Sequence, residues 1–196
     1  MKVRPRRAKR LLLSIAAGVS VLIVAALCIG SAVLHPRVDK PHHVDAIVVV
    51  AGVNDGRYDY ALKLALDGVA KHILVSQPPA EVRRNPEYAA RLAALCGIGH
   101  VGRPDDPATV ECFSPDSDTT EGEALIATTL ARERGWNSLL VLTYWGHVSR
   151  VRIYFNQCFP GDVYVSDTPI PSDISLRYAL LHESGGYAKA FFRPAC

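Results

Sequence analysis

The chain has 196 residues, 22 lysines and arginines against 19 aspartates and glutamates, and a formal net charge of +3. Six of the basic residues fall within the first ten positions (Lys2, Arg4, Arg6, Arg7, Lys9 and Arg10), which leaves 16 basic against 19 acidic side chains for the rest. The body of the protein is therefore not a polycation, which argues against a nucleic-acid partner, and 49% apolar residues exclude a disordered chain.

Residues 11–34 form a run of 24 without a formal charge. At about 1.5 Å per residue, a helix of this length crosses the roughly 30 Å hydrocarbon core of a bilayer. The basic cluster precedes it, so the positive-inside bias orients residues 1–10 to the cytoplasm and residues 35–196 to the outer side of the plasma membrane. A cleaved signal peptide is the competing account, with Gly30 and Ala32 as small residues near its end, but its apolar region would be unusually long. Leu27 stands where a lipoprotein signal would need a small residue before Cys28, so Cys28 reads as an inert thiol in the membrane.

Residues 35–43, with two prolines and several charged or histidine residues, read as a tether. The domain, residues 44–196, then opens on Val44–Ala51, an apolar run broken only by Asp45 and of the kind buried on both faces of a parallel sheet. A tight loop from Gly52 to Gly56 leads into a helix with Tyr58, Ala61, Leu62, Ala65 and Val69 at helical spacing, ended near Gly68. A second buried strand spans 72–76, a second helix 87–95, and a weak strand 110–113, with an irregular loop expected over 97–109. Thr120–Arg134 predicts a helix stopped by Gly135, 138–144 a strong strand, 147–158 a helix, and 162–165 a last strand. Pro171, Ser172 and Asp173 are expected to open the final helix. The alternation predicts a Rossmann-like three-layer α/β domain with an open, mostly parallel sheet of about five strands.

Four cysteines, Cys96, Cys112, Cys158 and Cys196, lie in the part assigned to the outside, where disulfides persist. Of the three possible connectivities, Cys96 with Cys112 and Cys158 with Cys196 is favoured, because the first closes a loop rich in turn residues and the second fastens the C-terminal residues to a helix end. No Cys-x-x-Cys or His-x-x-x-His pair offers metal-ligand spacing, so no metal is expected.

Ligands of open α/β sheets bind beyond the carboxyl ends of the strands. Three clusters fall there. The first, Gly52-Val53-Asn54-Asp55-Gly56-Arg57, is not a Gly-x-Gly-x-x-Gly dinucleotide loop, and no cofactor is expected. Its glycines fit any tight turn, whereas Asn54 and Arg57 are not needed by one. In the second, Thr120 and Glu123 are spaced as a capping box, or Glu123 points into the crevice. The third places Thr143 at the end of a strand and His147 and Arg150 three apart at the start of a helix, where they can bind an anion or His147 can transfer a proton. Glu183 follows Leu176, Ala179 and Leu180 at helical spacing on an apolar face and needs a partner such as an arginine, either as a structural ion pair or as a functional acid.

The strand 44–52, the helix opened by Arg57, Thr-Thr-x-Gly-Glu-Ala at 119–124 and Thr-x-x-x-His-x-x-Arg at 143–150 together resemble the YdcF/SanA/ElyC-like family, in its actinobacterial form. The resemblance covers residues 44–185. It implies a Rossmann-like domain with a role in the bacterial cell envelope, in barrier function and peptidoglycan or lipid-carrier metabolism. It brings Gly52, Arg57, Thr120, Glu123, Thr143, His147 and Arg150 forward as motif positions. Tyr144 and Val151 stand where the family often has Ser and Ala.

The function expected is that of a membrane-anchored envelope enzyme, a hydrolase or transferase acting on an anionic small molecule or a lipid-linked, phosphate-bearing precursor. Arg57 and Arg150 would hold the anion, His147 would transfer a proton, and Glu123 would orient or activate a water. The alternative is a non-catalytic module that binds the same ligand.

Overall fold

The computed structural model describes residues 5–52, 55–170 and 172–196. Helix α1 (Pro5–Leu34) is followed by β1 (Ala46–Val49), α2 (Arg57–Leu66), β2 (His72–Ser76), α3 (Pro79–Arg84), α4 (Pro86–Gly97), β3 (His100–Arg103), β4 (Asp106–Phe113), α5 (Thr120–Glu133) and β5 (Ser138–Thr143). A single 3₁₀ turn, Trp145–His147, leads into α6 (Val148–Cys158) and β6 (Asp162–Asp167). The last segment is α7 (Leu176–Tyr178), a π-helical stretch Ala179–Glu183, and α8 (Ser184–Phe192).

The six strands form one sheet in the order β3-β4-β2-β1-β5-β6, parallel throughout except where β3 runs against β4. Because successive side chains of a strand alternate between faces, β1 and Val50 just after it divide their residues between two cores. Ile47 and Val49 pack with α2 and α4 through Ala61, Leu64 and Leu92, whereas Ala46, Val48 and Val50 pack with α5 and α6 through Ala127, Val151 and Phe155. Small residues along α5 let that helix lie close to the sheet.

Four sequence expectations need correction. The stretch expected as an irregular loop over 97–109 is a hairpin, so the sheet has six strands, and β4 begins well before Val110. Its edge strand is too short and too poor in apolar alternation to be read alone. Helix α3 was not expected. The final helix starts at Leu176 with Ser175 as its cap, its Oγ accepting the Tyr178 N–H at 3.3 Å, while Ser172 and Asp173 precede it and Pro171 lies outside the described residues.

Residues 35–43 do not swing free. The Asp39 N–H donates to Val165 O, Asp39 Oδ2 accepts the Val165 N–H at 2.9 Å and pairs with Arg152 at 2.7 Å, and His42 stands edge-on to Tyr164. The segment therefore follows β6. Both favoured cysteine pairs are disulfides, Cys96–Cys112 between α4 and β4 and Cys158–Cys196 between the end of α6 and the last residue, and Cys28 is free and exposed. Residues Lys9–Leu34 are long and apolar enough to cross a membrane.

Candidate active site

The chain leaves β1 toward β2 on one side of the sheet and returns to β5 on the other, so the loops after β1 and β5 diverge and open a crevice at this switch point. Its volume is about 770 Å³. The walls carry Ala51 and Gly52 after β1, Thr119, Thr120, Glu121 and Glu123 at the start of α5, Tyr144, His147 and Arg150 after β5, and Tyr178, His182, Glu183 and Lys189 from the C-terminal segment.

Thr119, not Thr120, caps α5: its hydroxyl accepts the Gly122 N–H at 3.1 Å. The capping box expected for Thr120 and Glu123 does not form: the cap lies one residue earlier, and Gly122, opposite it, has no side chain to return the bond. That shift releases both side chains toward the crevice, where both are buried. The backbone N–H groups of Thr120 and Glu121 have no acceptor among the described residues and remain the donors of an open helix N-terminus.

His147 is buried on the 3₁₀ turn, with Nε2 3.0 Å from Thr120 Oγ1 and Nδ1 3.0 Å from Thr143 Oγ1. Burial, reinforced by the positive charges of Arg150, Arg57 and His182, holds its pKa well below that of a free histidine, so the ring is neutral. Arg150 donates from Nη1 to the same Thr120 Oγ1 at 3.0 Å and from Nε to Glu183 Oε2 at 2.7 Å. Glu183, buried as the sequence pattern demands, finds its arginine partner in this way and accepts a second hydrogen bond from the Tyr144 hydroxyl at Oε1.

Glu123 accepts the Ala51 N–H at Oε1, 2.8 Å away. Its desolvation outweighs this bond, the neighbouring Ser76 hydroxyl and the charges of Arg57 and Arg150, and its pKa is pushed up to about 7. Ser76 Oγ itself is buried without a hydrogen bond of good geometry.

Arg57 has a different position from the one its motif suggests. It is 0% exposed, forms a two-pronged ion pair with Asp55 at 2.8 Å, and donates from Nη1 to Val50 O and Ala51 O. Four of its five N–H donors are thereby engaged, and it does not line the crevice. It braces the backbone at the end of β1 instead of meeting a ligand. Gly52, at φ +143°, passes so close that an added Cβ would lie 3.2 Å from Arg57 Nη1. Asn54 lies outside the described residues. Asp55, Tyr144 and Thr119 were missed by sequence reasoning. Asp55, two residues before Arg57, was the one with a readable signal.

The site therefore unites Thr120, Glu123, Thr143, His147 and Arg150, adds Tyr144 and Glu183, and sets Arg57 beneath them. No group of three or more metal-ligating side chains exists among the described residues. Compared with models of known protein families, with curated proteins and with solved structures, the chain matches none.

Proposed function

We propose that this protein is a membrane-anchored cell-envelope enzyme, a hydrolase or transferase that acts on a lipid-linked, phosphate-bearing intermediate. The observation that carries the reading is the Thr120 hydroxyl, held between the neutral His147 ring and the Arg150 guanidinium on the crevice wall. In the tautomer with its proton on Nδ1 toward Thr143, His147 presents the Nε2 lone pair to that hydroxyl. It takes the proton from Thr120, or from a water in its place, as the oxygen attacks. Glu123 in its acid form gives a proton to the departing oxygen as its bond to phosphorus breaks. Where Thr120 is the attacking group, a water deprotonated by Glu123, or an acceptor hydroxyl in its place, then takes the phosphoryl group from Thr120, and His147 returns its proton to the threonine oxygen. The open N–H groups at the start of α5 and the Nη2 of Arg150 are the donors for a phosphate.

Anchorage is supported by the way α1 ends inside the domain: Val33 is buried, and Ser149 Oγ donates to Ala32 O at 2.6 Å. A segment built into the fold is a poor candidate for removal. The resemblance to the YdcF/SanA/ElyC-like family points toward the same envelope setting.

A second reading, a binding module without turnover, draws on the internal pairing of both arginines, Arg57 with Asp55 and Arg150 with Glu183. The test is native mass measurement of the detergent-extracted full chain, followed by phosphate release from polyprenyl diphosphate in micelles. Phosphate release that falls at least 100-fold in His147→Ala supports the enzyme. Retained polyprenyl phosphate with no turnover in wild type supports the module, and neither retention nor turnover overturns both.

A further inference from the structure

The C-terminal segment carries an unusual surface. Leu181 is 79% exposed, Phe191 67% and Phe192 78%, with Leu176 and Tyr178 more than half exposed beside them. A water-facing surface places few large apolar side chains so close together, and a patch of this kind marks an interaction site. Its neighbour identifies the partner. The last turns of α1 touch α8, the π-helical stretch, the 3₁₀ turn and α6, and Ile29, Gly30, Ala32 and Val33, within one five-residue stretch, are the α1 residues that the domain partly or fully covers. Five residues of helix rise about 8 Å. The elements packed on those turns consequently lie at the level of the lipid headgroups once the apolar span of α1 crosses the bilayer.

Charge agrees with this placement. From residue 174 to residue 196 the basic side chains are Arg177, Lys189 and Arg193, all exposed, with Lys189 paired to Glu121 at 3.1 Å, and the sole carboxylate side chain, Glu183, is buried against Arg150. Apolar and aromatic side chains with a fringe of cations suit an anionic leaflet surface.

We propose that the segment Leu176–Phe192 docks on the outer leaflet, sinking Leu181, Phe191 and Phe192 into it, so that the crevice lined by Tyr178, His182 and Lys189 of the same segment opens onto the headgroups. The proposal rests on α1 being retained as the anchor. It deepens the functional reading by naming the route of the substrate: a lipid-borne phosphate reaches Thr120 and Arg150 by lateral diffusion within the leaflet and need not leave the membrane.

The experiment uses the full chain in vesicles of phosphatidylcholine and phosphatidylglycerol, with or without lipids brominated on the acyl chains. Tryptophan is introduced singly as Leu181→Trp or Phe192→Trp, and as Glu87→Trp on α4, which packs on the opposite face of the sheet. The expected result is at least twofold quenching by brominated lipid of the fluorescence added at 181 and 192, and none of that added at 87. Equal behaviour at all three positions overturns the proposal. So does disulfide crosslinking of two Leu181→Cys chains without quenching at 192, which would make the patch a contact between copies. Protein released from the vesicles by alkaline washing overturns the anchor reading together with the docking, whereas retained protein without quenching overturns the docking alone. Quenching is read without any substrate, so failure of the enzymatic reading leaves it untouched.

Discussion

Thr120 Oγ1 lies 3.0 Å from His147 Nε2, joining the first turn of α5 to the junction after β5 across the switch point of the sheet. Both groups are buried, and each is fixed by a second contact, Arg150 for the threonine and Thr143 for the histidine. Thr120→Val removes the hydroxyl with little change in shape. It should lower kcat by 100-fold or more while costing about 1–3 kcal/mol of stability from the unpaired ring nitrogen. Thr120→Ser should retain most turnover. Parallel phosphate-release assays and thermal melts check both, and a Thr120→Val protein with wild-type turnover would remove the hydroxyl from the chemistry.

Glu123 makes a pH prediction with a definite sign. Its folded pKa, about 7, lies above the ordinary 4.5, so the folded state binds more protons between those values and stability falls as pH rises through that window. The penalty is absent below the unfolded pKa and reaches about 3 kcal/mol above pH 7. Glu123→Gln keeps an acceptor for the Ala51 N–H and should raise the Tm at pH 8 but not at pH 4. Activity that needs the acid form declines above pH 7, and no limb attributable to His147 appears near pH 6.5, because that ring is already neutral there. Melting curves and kcat profiles between pH 4 and 9 measure both effects.

The parallel core was legible because buried strands such as 44–51 and 138–144 are apolar runs whose only polar members are Asp45, Ser138 and Thr143, near the strand ends, and such runs report themselves without tertiary information. The β3–β4 hairpin was not, since an edge strand of four residues carries too little pattern. Within the site, spacing placed His147 and Arg150 together and predicted that Glu183 would need an arginine. It could not tell that Arg57 faces inward, because the deciding groups are Asp55 and the carbonyls of Val50 and Ala51. Nor could it separate Thr119 from Thr120 as the cap. Two adjacent threonines offer the same side-chain chemistry, and only the backbone, extended at Thr119, decides which one turns back on the helix.

The pairing of Arg150 with Glu183 depends on a missing side chain. A Cβ at Gly186 would fall 2.6 Å from Arg150 Cδ and 2.7 Å from its Nε. Arg150 is pinned at both ends, by Glu183 and Thr120, so it cannot yield without breaking one bond. Gly186→Ala should therefore cost about 1–3 kcal/mol and reduce turnover, although position 186 contributes no chemistry of its own. Glu183→Ala should cost about 3 kcal/mol, the low end for breaking a buried pair because Arg150 keeps some solvent contact. Denaturant titration of the two variants ranks the effects.

The two disulfides differ in what they restrain. Cys96–Cys112 closes 16 residues within one edge of the sheet, whereas Cys158–Cys196 closes 38 and ties the end of the chain to α6. Loop-closure entropy gives about 3 kcal/mol for the first and about 4 kcal/mol for the second. Their functional consequences diverge further. The second bridge holds the chain just after α8, whose Gly186 and Lys189 line the crevice and whose Ala190 packs into the core beside Phe155. Cys158→Ser with Cys196→Ser should thus lower both the Tm and turnover. Cys96→Ser with Cys112→Ser, remote from the crevice wall, should lower the Tm and leave turnover below the melting range close to wild type. Hydrogen exchange would locate the difference: faster exchange in Ser184–Phe192 for the first pair of substitutions, and in His100–Arg103 and Asp106–Phe113 for the second.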